Sequence, residues 1–241
     1  ALRAKKDSSI TTCARLLKAK EVDAMVTPGH TGATVAATKV LVRTLPGIDR
    51  PALAASLPLK RGGRFILMDA GANTECTPVN IVQFAIMGEV YAQYLFQLET
   101  PRVSLLSVGG EDIKGNDLTK ESFKLLEQRE QLNFVGNVES SHIFSGKVAD
   151  VIVCDGFTGN VILKMAEGLY RINNALGGNN NKFWEAMNYE HVGGTPVLGV
   201  GAPVIIGHGC SSPLAIRSMI LSTEHTAKAG LTEKLRLAFN D

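Results

Sequence analysis

The sequence predicts a doubly wound α/β fold, a mostly parallel sheet with helices on both faces. Two observations lead there. A strand, a Gly-rich loop and a helix recur in that order along the chain. The strands are runs of Val, Ile and Leu without polar alternation, the pattern of strands buried on both faces.

Ser8 or Ser9 is placed to cap a helix over Ile10 to Leu17. Val22 to Val26 reads as a strand ending at Thr27-Pro28-Gly29, with a helix directly after it. The unit recurs at Phe65 to Met68, where a loop from Asp69 to Thr77 leads into a long apolar helix that Thr77 caps and Pro78 opens. Arg102 to Val108 is the next strand. Its loop runs from Gly109 to Asp117, and a helix starting near Leu118 or Thr119 carries Phe123, Leu125 and Leu126. Val151 to Cys154 leads through a loop from Asp155 to Asn160 into a helix with Val161, Ile162, Met165 and Leu169. Val204 to Ile206 leads through Gly207 to Ser212 into a helix from Pro213. Arg61 to Arg64 reads as a hairpin turn, and Gly177 to Asn181 as a polar linker between two helical pieces.

The chain has 241 residues, a length that predicts one domain over 1–241. Its 45% hydrophobic and 20% charged residues are ordinary for a globular protein, and no segment approaches the ~20 consecutive apolar residues of a membrane-spanning helix. A formal net charge of +2, with Lys and Arg scattered, argues against a nucleic-acid partner. Cys13, Cys76, Cys154 and Cys210 are widely spaced and form no CxxC pair, so neither a metal site nor a disulfide framework is indicated and a cytoplasmic location is expected.

In open parallel sheets, ligands collect beyond the carboxyl ends of the strands, where helix N-termini present N–H donors. Five Gly-bearing loops fall at such positions: 29–33, 71–73, 114–116, 156–160 and 207–212. One such loop is more often a turn than a site, but five together point to a small anion. A Walker-type phosphate loop, a dinucleotide fingerprint and a G-x-S-x-G nucleophile elbow are all missing from the sequence.

Several phrases occur in the order seen in one family: Lys5 to Ser9, Gly29-His30-Thr31-Gly32-Ala33, Met68-Asp69-Ala70-Gly71-Ala72-Asn73, Gln83 to Gly88, Pro101-Arg102-Val103, Lys114-Gly115-Asn116, Phe134 to Glu139, Val153 to Asn160 and Gly207-His208-Gly209. Nearly end to end, the chain resembles the PlsX family of acyl-acyl-carrier-protein:phosphate acyltransferases. The resemblance implies a fold like that of phosphotransacetylases and isocitrate or isopropylmalate dehydrogenases. It also implies transfer of a fatty acyl group from acyl carrier protein to inorganic phosphate for phospholipid synthesis, no cofactor, and a homodimer. The sequence departs from the family in three places. The family's opening strand with its Asp-Ala-Met-Gly-Gly-Asp motif does not precede Ala1. His30 stands where the family has Asn. The helical hairpin that the family associates with membrane contact is shortened over 170–191, which leaves peripheral membrane contact open.

Phosphate is itself nucleophilic, so the expected chemistry is positioning and oxyanion stabilisation without an acyl-enzyme. Lys114, Asn116, Asn160 and Thr31 are expected to hold phosphate or the oxyanion, and Asp155 or Asp69 to orient a donor or merely to cap a loop. His208 is the candidate to protonate the leaving thiolate or hold phosphate. Gly29, His30, Gly32, Asn73, Gly115, Gly156, Gly159, Lys164, Gly209 and Ser211 complete the expected substrate lining, with Lys164 either reaching back to phosphate or solvated. A route through Cys210 or Cys154 with His208 as base competes, with a buried inert thiol as the simpler reading. Glu139, after a turn at Gly136-Asn137, contacts substrate or closes that turn. Ile81, Phe84, Ile86, Met87 and Tyr91 either line an acyl groove or pack in the core. Lys5, Lys6, Arg43, Arg50, Lys60, Arg61 and Arg64 are docking charges for the acidic carrier protein or a solvated surface. Two other classes stay open: a binding module that keeps the anion pocket without turnover, and an isocitrate-type dehydrogenase, for which no metal-binding Asp cluster is found.

Overall fold

The computed structural model describes residues 7–178 and 181–240; Lys5, Lys6 and part of the 177–181 linker lie outside them. Their contacts group into two compact units, one within 1–53 and 189–241, the other Ala54–Asn188, where the length alone predicts a single domain. The strands form two sheets, one per unit.

The first unit begins with α1 (Ser9–Lys18), whose N-cap Ser8 accepts a hydrogen bond from the Thr11 amide at 3.3 Å. After β1 (Met25–Thr27) comes α2 (Thr31–Ala37), which continues into a π-helical turn at Thr38–Val42. The strand predicted over Val22 to Val26 is thus shorter and shifted toward Pro28. β2 (Ala52–Leu53) closes the first passage of the chain through this unit. The chain returns with the short helix α7 (Tyr189–Val192), β8 (Thr195–Leu198) and β9 (Val204–Ile206). It ends with α8 (Pro213–Lys228) and α9 (Leu231–Ala238). The sheet order is β1-β9-β8-β2, in which β1 and β9 are parallel and β8 is antiparallel to both of its neighbours. Both strand-to-helix loops of the parallel pair therefore leave from the same edge.

The second unit opens with the hairpin of β3 (Ala55–Pro58) and β4 (Arg64–Met68), joined through the predicted Arg61 to Arg64 turn. Then follow α3 (Pro78–Phe96), β5 (Val103–Ser107), α4 (Asp117–Glu127), β6 (Phe134–Glu139), a 3₁₀ turn at Ser140–Ser145 and β7 (Val151–Val153). The unit ends with α5 (Gly156–Ala175) and α6 (Lys182–Ala186). The sheet order is β3-β4-β7-β5-β6, with β4, β7, β5 and β6 mutually parallel. Its core is apolar as the strand runs predict: Phe65, Ile66, Leu67, Met68 and Ile152 are all buried.

The predicted start of α3 is observed with both halves of a capping box. The Thr77 hydroxyl accepts from the Asn80 amide, and the Asn80 side chain accepts from the Thr77 amide at 3.1 Å. Ile81, Phe84, Met87 and Tyr91 are buried, which is the core-packing reading of this helix. Residues 136 and 137, read from sequence as a turn, lie inside β6. Gly136 (φ +90°) sits where the β5–β6 register shifts, so the glycine makes a β-bulge rather than a chain reversal.

Candidate active site

In the second unit, three strand-to-helix connections leave the carboxyl edge of adjacent parallel strands β4, β7 and β5. The connection after β4 is organised by Asp69, whose side chain is fully buried. Its Oδ1 accepts from the amides of Gly71 and Ala72 at 3.1 and 3.0 Å, and its Oδ2 from the Asn73 amide and the Asn73 side chain, both at 2.8 Å. A buried carboxylate is costly unless hydrogen-bonded, and four donors supply that compensation. The amides of 71–73, expected from sequence to face an anion, are spent on Asp69 instead.

The connection after β7 is shorter than its glycines suggest. The sequence reading places a loop from Asp155 to Asn160; the structure starts α5 at Gly156, because Asp155 is a complete N-cap. Its carboxylate accepts from the Thr158 amide at 2.9 Å and the Thr158 hydroxyl at 2.7 Å. Thr158, three residues after Asp155, stands at the spacing of an N-cap partner. The glycines serve close approach. A β-carbon on Gly159 would lie 1.9 Å from the Asp69 carbonyl oxygen, and one on Gly156 would lie 2.6 Å from the Asn73 carbonyl oxygen. The Gly156 amide donates to that same Asn73 oxygen at 2.7 Å. The first turn of α5 is thereby held against the Asp69–Asn73 loop, and the exposed Asn160 side chain lies over Gly71. The Asn160 side chain has no hydrogen-bond partner among the described residues.

In the third connection Asn116 caps α4, accepting from the Thr119 amide and hydroxyl, both at 2.9 Å. Lys114 precedes it, exposed and without an ion-pair partner among the described residues. Lys164 differs: its ammonium pairs with Glu167 at 2.9 Å, one turn along α5. Glu139 accepts from the Ser141 hydroxyl at 2.9 Å at the end of β6. Cys154 is fully enclosed beneath this site. Burial first, then the charges of Asp155 and Asp69 and the neighbouring Cys76, push its thiol well above the ordinary range, the opposite of what a nucleophile needs.

The remaining candidates lie in the first unit, on the two loops leaving β1 and β9. His30 is the N-cap of α2, with Nδ1 accepting from the Ala33 amide at 3.2 Å, so Gly29 is the last loop residue and Thr31 and Gly32 form the first helical turn. The Gly207 amide donates to the Thr27 carbonyl at 2.9 Å, which ties the two loops together. His208 is exposed, and its Nδ1 lies 3.0 Å from the Cys210 sulfur. Ser211 donates through its hydroxyl to the His208 carbonyl at 2.6 Å, Gly209 adjoins it, and Ser212 caps α8. Cys210 is therefore exposed beside an imidazole rather than a buried thiol. Of the docking charges, Arg64 is drawn inward. Its guanidinium donates to the Ser56 hydroxyl and carbonyl at 2.8 and 2.7 Å and to the Ala186 carbonyl at 3.0 Å, so each of its three nitrogens is engaged within its own unit.

A family model described as "Fatty acid synthesis protein" matches residues 1–234. A phosphate acyltransferase of Syntrophomonas wolfei is 42% identical over 241 residues, covering 98% of this chain and 75% of the relative. The chain belongs to the PlsX family. Further PlsX relatives with the same name include those of Aeromonas salmonicida, 42% identical over 100% of this chain and 76% of the relative, and Thermodesulfovibrio yellowstonii, 44% identical over 93% and 70%. Among solved structures, the EutD phosphotransacetylase of Staphylococcus aureus superposes with a TM-score of 0.62 at 21% identity. That match covers 90% of this PlsX chain and 67% of the other. A branched-chain phosphotransacylase of Enterococcus faecalis gives 0.62 at 16% identity, over 90% and 78%. These structures show the fold alone, the phosphotransacetylase-like α/β arrangement expected of the family.

Proposed function

We propose that this chain transfers a fatty acyl group from the thioester of acyl carrier protein to inorganic phosphate, releasing acyl phosphate and the free carrier thiol. The observation that carries the reading is identity above 40% with phosphate acyltransferases across almost the whole chain. Phosphate oxygen attacks the thioester carbonyl, the tetrahedral oxyanion collapses, and the carbon–sulfur bond breaks. Catalysis is then mainly positioning and charge stabilisation.

Lys114 and Asn160 are the proposed phosphate or oxyanion contacts. What supports them is that both stand exposed at the carboxyl edge of the second sheet with side-chain donors not engaged by described residues. Asp69 and Asp155 act by holding the backbone that carries Asn160, and His208 is the proposed proton donor to the leaving thiolate. Lys164, held by Glu167, is better read as a surface residue of α5.

The test is acyl phosphate formation by the purified chain and by Asn160→Ala. Loss of at least tenfold in kcat/KM with unchanged thermal stability supports the site; equal turnover removes Asn160 from it. Absence of turnover in the parent would favour the binding-module reading.

A homodimer is part of the same proposal. It is supported by Phe157, Val161, Met165, Leu169 and Ile172, spaced along one stripe of α5 and 47–64% exposed. Met165→Glu should convert a dimer to monomer in sedimentation; an unchanged mass would exclude this stripe as the interface. No described helix is long and apolar enough to cross a membrane. A cytoplasmic location with peripheral membrane contact belongs to the same reading, and vesicle co-sedimentation tests the contact.

A further inference from the structure

We infer that Asn137 is a positioning residue for Lys114, acting through the backbone of the loop between β5 and α4. The inference rests on the assignment of Lys114 to the phosphate site. Asn137 is 7% exposed on β6, and its side-chain amide crosses to the neighbouring connection and donates to the Glu111 carbonyl at 2.9 Å. That same carbonyl accepts from the Lys114 amide at 3.0 Å. The Ser107 hydroxyl, at the end of β5, donates to the Lys114 carbonyl at 3.1 Å. The peptide groups on both sides of Lys114 are thus fixed, one directly from β5 and the other through an oxygen that Asn137 also holds.

Two further observations point to Asn137 as more than packing. The bulge at Gly136 displaces the β5–β6 register, so that Asn137 stands opposite Leu105, two residues before the end of β5. Bulges of this kind re-aim a side chain beside a site. The other end of the same amide, Oδ1, is buried and accepts no hydrogen bond. An apolar residue of similar volume would be cheaper to bury there. The amide at this position is therefore a cost to folding, set against what its donor does for the loop.

The test is a double-mutant cycle in the acyltransferase assay, read as KM for inorganic phosphate and kcat, on wild type, Asn137→Leu, Lys114→Ala and the double variant. Asn137→Leu keeps the branched shape and removes both the donor and the orphan acceptor. Its thermal midpoint should equal or exceed that of wild type, while phosphate KM rises about fivefold, the equivalent of one neutral hydrogen bond. In the Lys114→Ala background the same substitution should have no further effect on KM. Asn137→Asp, similar in shape but without the donor, should reproduce the rise.

If Lys114→Ala raises KM and Asn137→Leu does not, the positioning role is overturned while the phosphate-site reading survives. Additive effects in the double variant overturn it too, because Asn137 would then act independently of Lys114. If Lys114→Ala leaves KM unchanged, the phosphate-site reading falls and this inference falls with it. A lowered midpoint with unchanged KM would make Asn137 a packing residue only.

Discussion

Gly159→Ala adds one methyl group at a point where the backbone has no room. The new β-carbon would lie 1.9 Å from the Asp69 carbonyl oxygen, whereas ordinary contact begins near 3.4 Å. The first turn of α5 must therefore withdraw by about 1.5 Å or the Asp69–Asn73 loop must give way, since a backbone atom cannot rotate aside. The loop resists, because Asp69 holds it through four hydrogen bonds and is itself buried. Overpacking of this kind costs about 1–3 kcal/mol, and a clash against backbone belongs at the upper end. In a protein of this size ~3 kcal/mol lowers the midpoint by roughly 6–12 °C.

Gly168 in the same helix is the control: a β-carbon there meets nothing within 4 Å, so Gly168→Ala should stabilise α5 by up to about 1 kcal/mol. The chain's single tryptophan, Trp184, lies in the same unit and reports its unfolding in urea. Turnover reports the geometry at Asn160, where a displacement of about 1 Å is expected to cost roughly a hundredfold. Gly159→Ala with a wild-type midpoint and wild-type turnover would show that α5 is not seated on the Asp69 loop as described.

Asp150 accepts from Arg102 through the Arg102 amide at 2.8 Å and the guanidinium at 3.0 and 2.9 Å. Burial pushes its carboxyl upward, but the Arg102 hydrogen bonds and charge outweigh this and hold it below the usual value. A lowered folded-state value gives stability that is present above the unfolded carboxylate value of about 3.9 and lost as pH falls through the folded one. Asp150→Asn should therefore cost about 1–2 kcal/mol at pH 7, discounted for the partly exposed Arg102, with the gap closing below about pH 4. A gap that stays constant or widens on acidification in urea titrations would exclude this account. Arg64→Ala removes two bonds to Ser56 on β3 and the one bond to the Ala186 carbonyl that holds α6. It should destabilise the second unit by about 3 kcal/mol and red-shift Trp184 emission in the native state; a native spectrum identical to wild type would mean that α6 is held by other contacts.

Much of the candidate site is legible because helix starts are local. Thr77-Pro78 and Ser212-Pro213 each carry their own cap and their own fixed backbone angle within a few residues, and both helices begin where the sequence says. The parallel strands β4, β5, β7 and β9 are similarly legible as runs dominated by Val, Ile and Leu without polar alternation. His30 shows a limit of the local rule: an imidazole takes a capping position usually filled by Ser, Thr, Asn or Asp, so the helix start is not announced by residue type.

The sequence by itself determined the βα units, the family, and the Gly-bearing connections among which the candidate site is sought. Only the tertiary structure decided that the strands divide between two sheets. It also decided that Asp69 consumes the amides of its own loop, that Gly159 serves backbone contact, and that Asn137 reaches Glu111. Each of these depends on which segments become neighbours across the sheet, and strand order is set by packing among residues far apart in the chain, which no local pattern encodes.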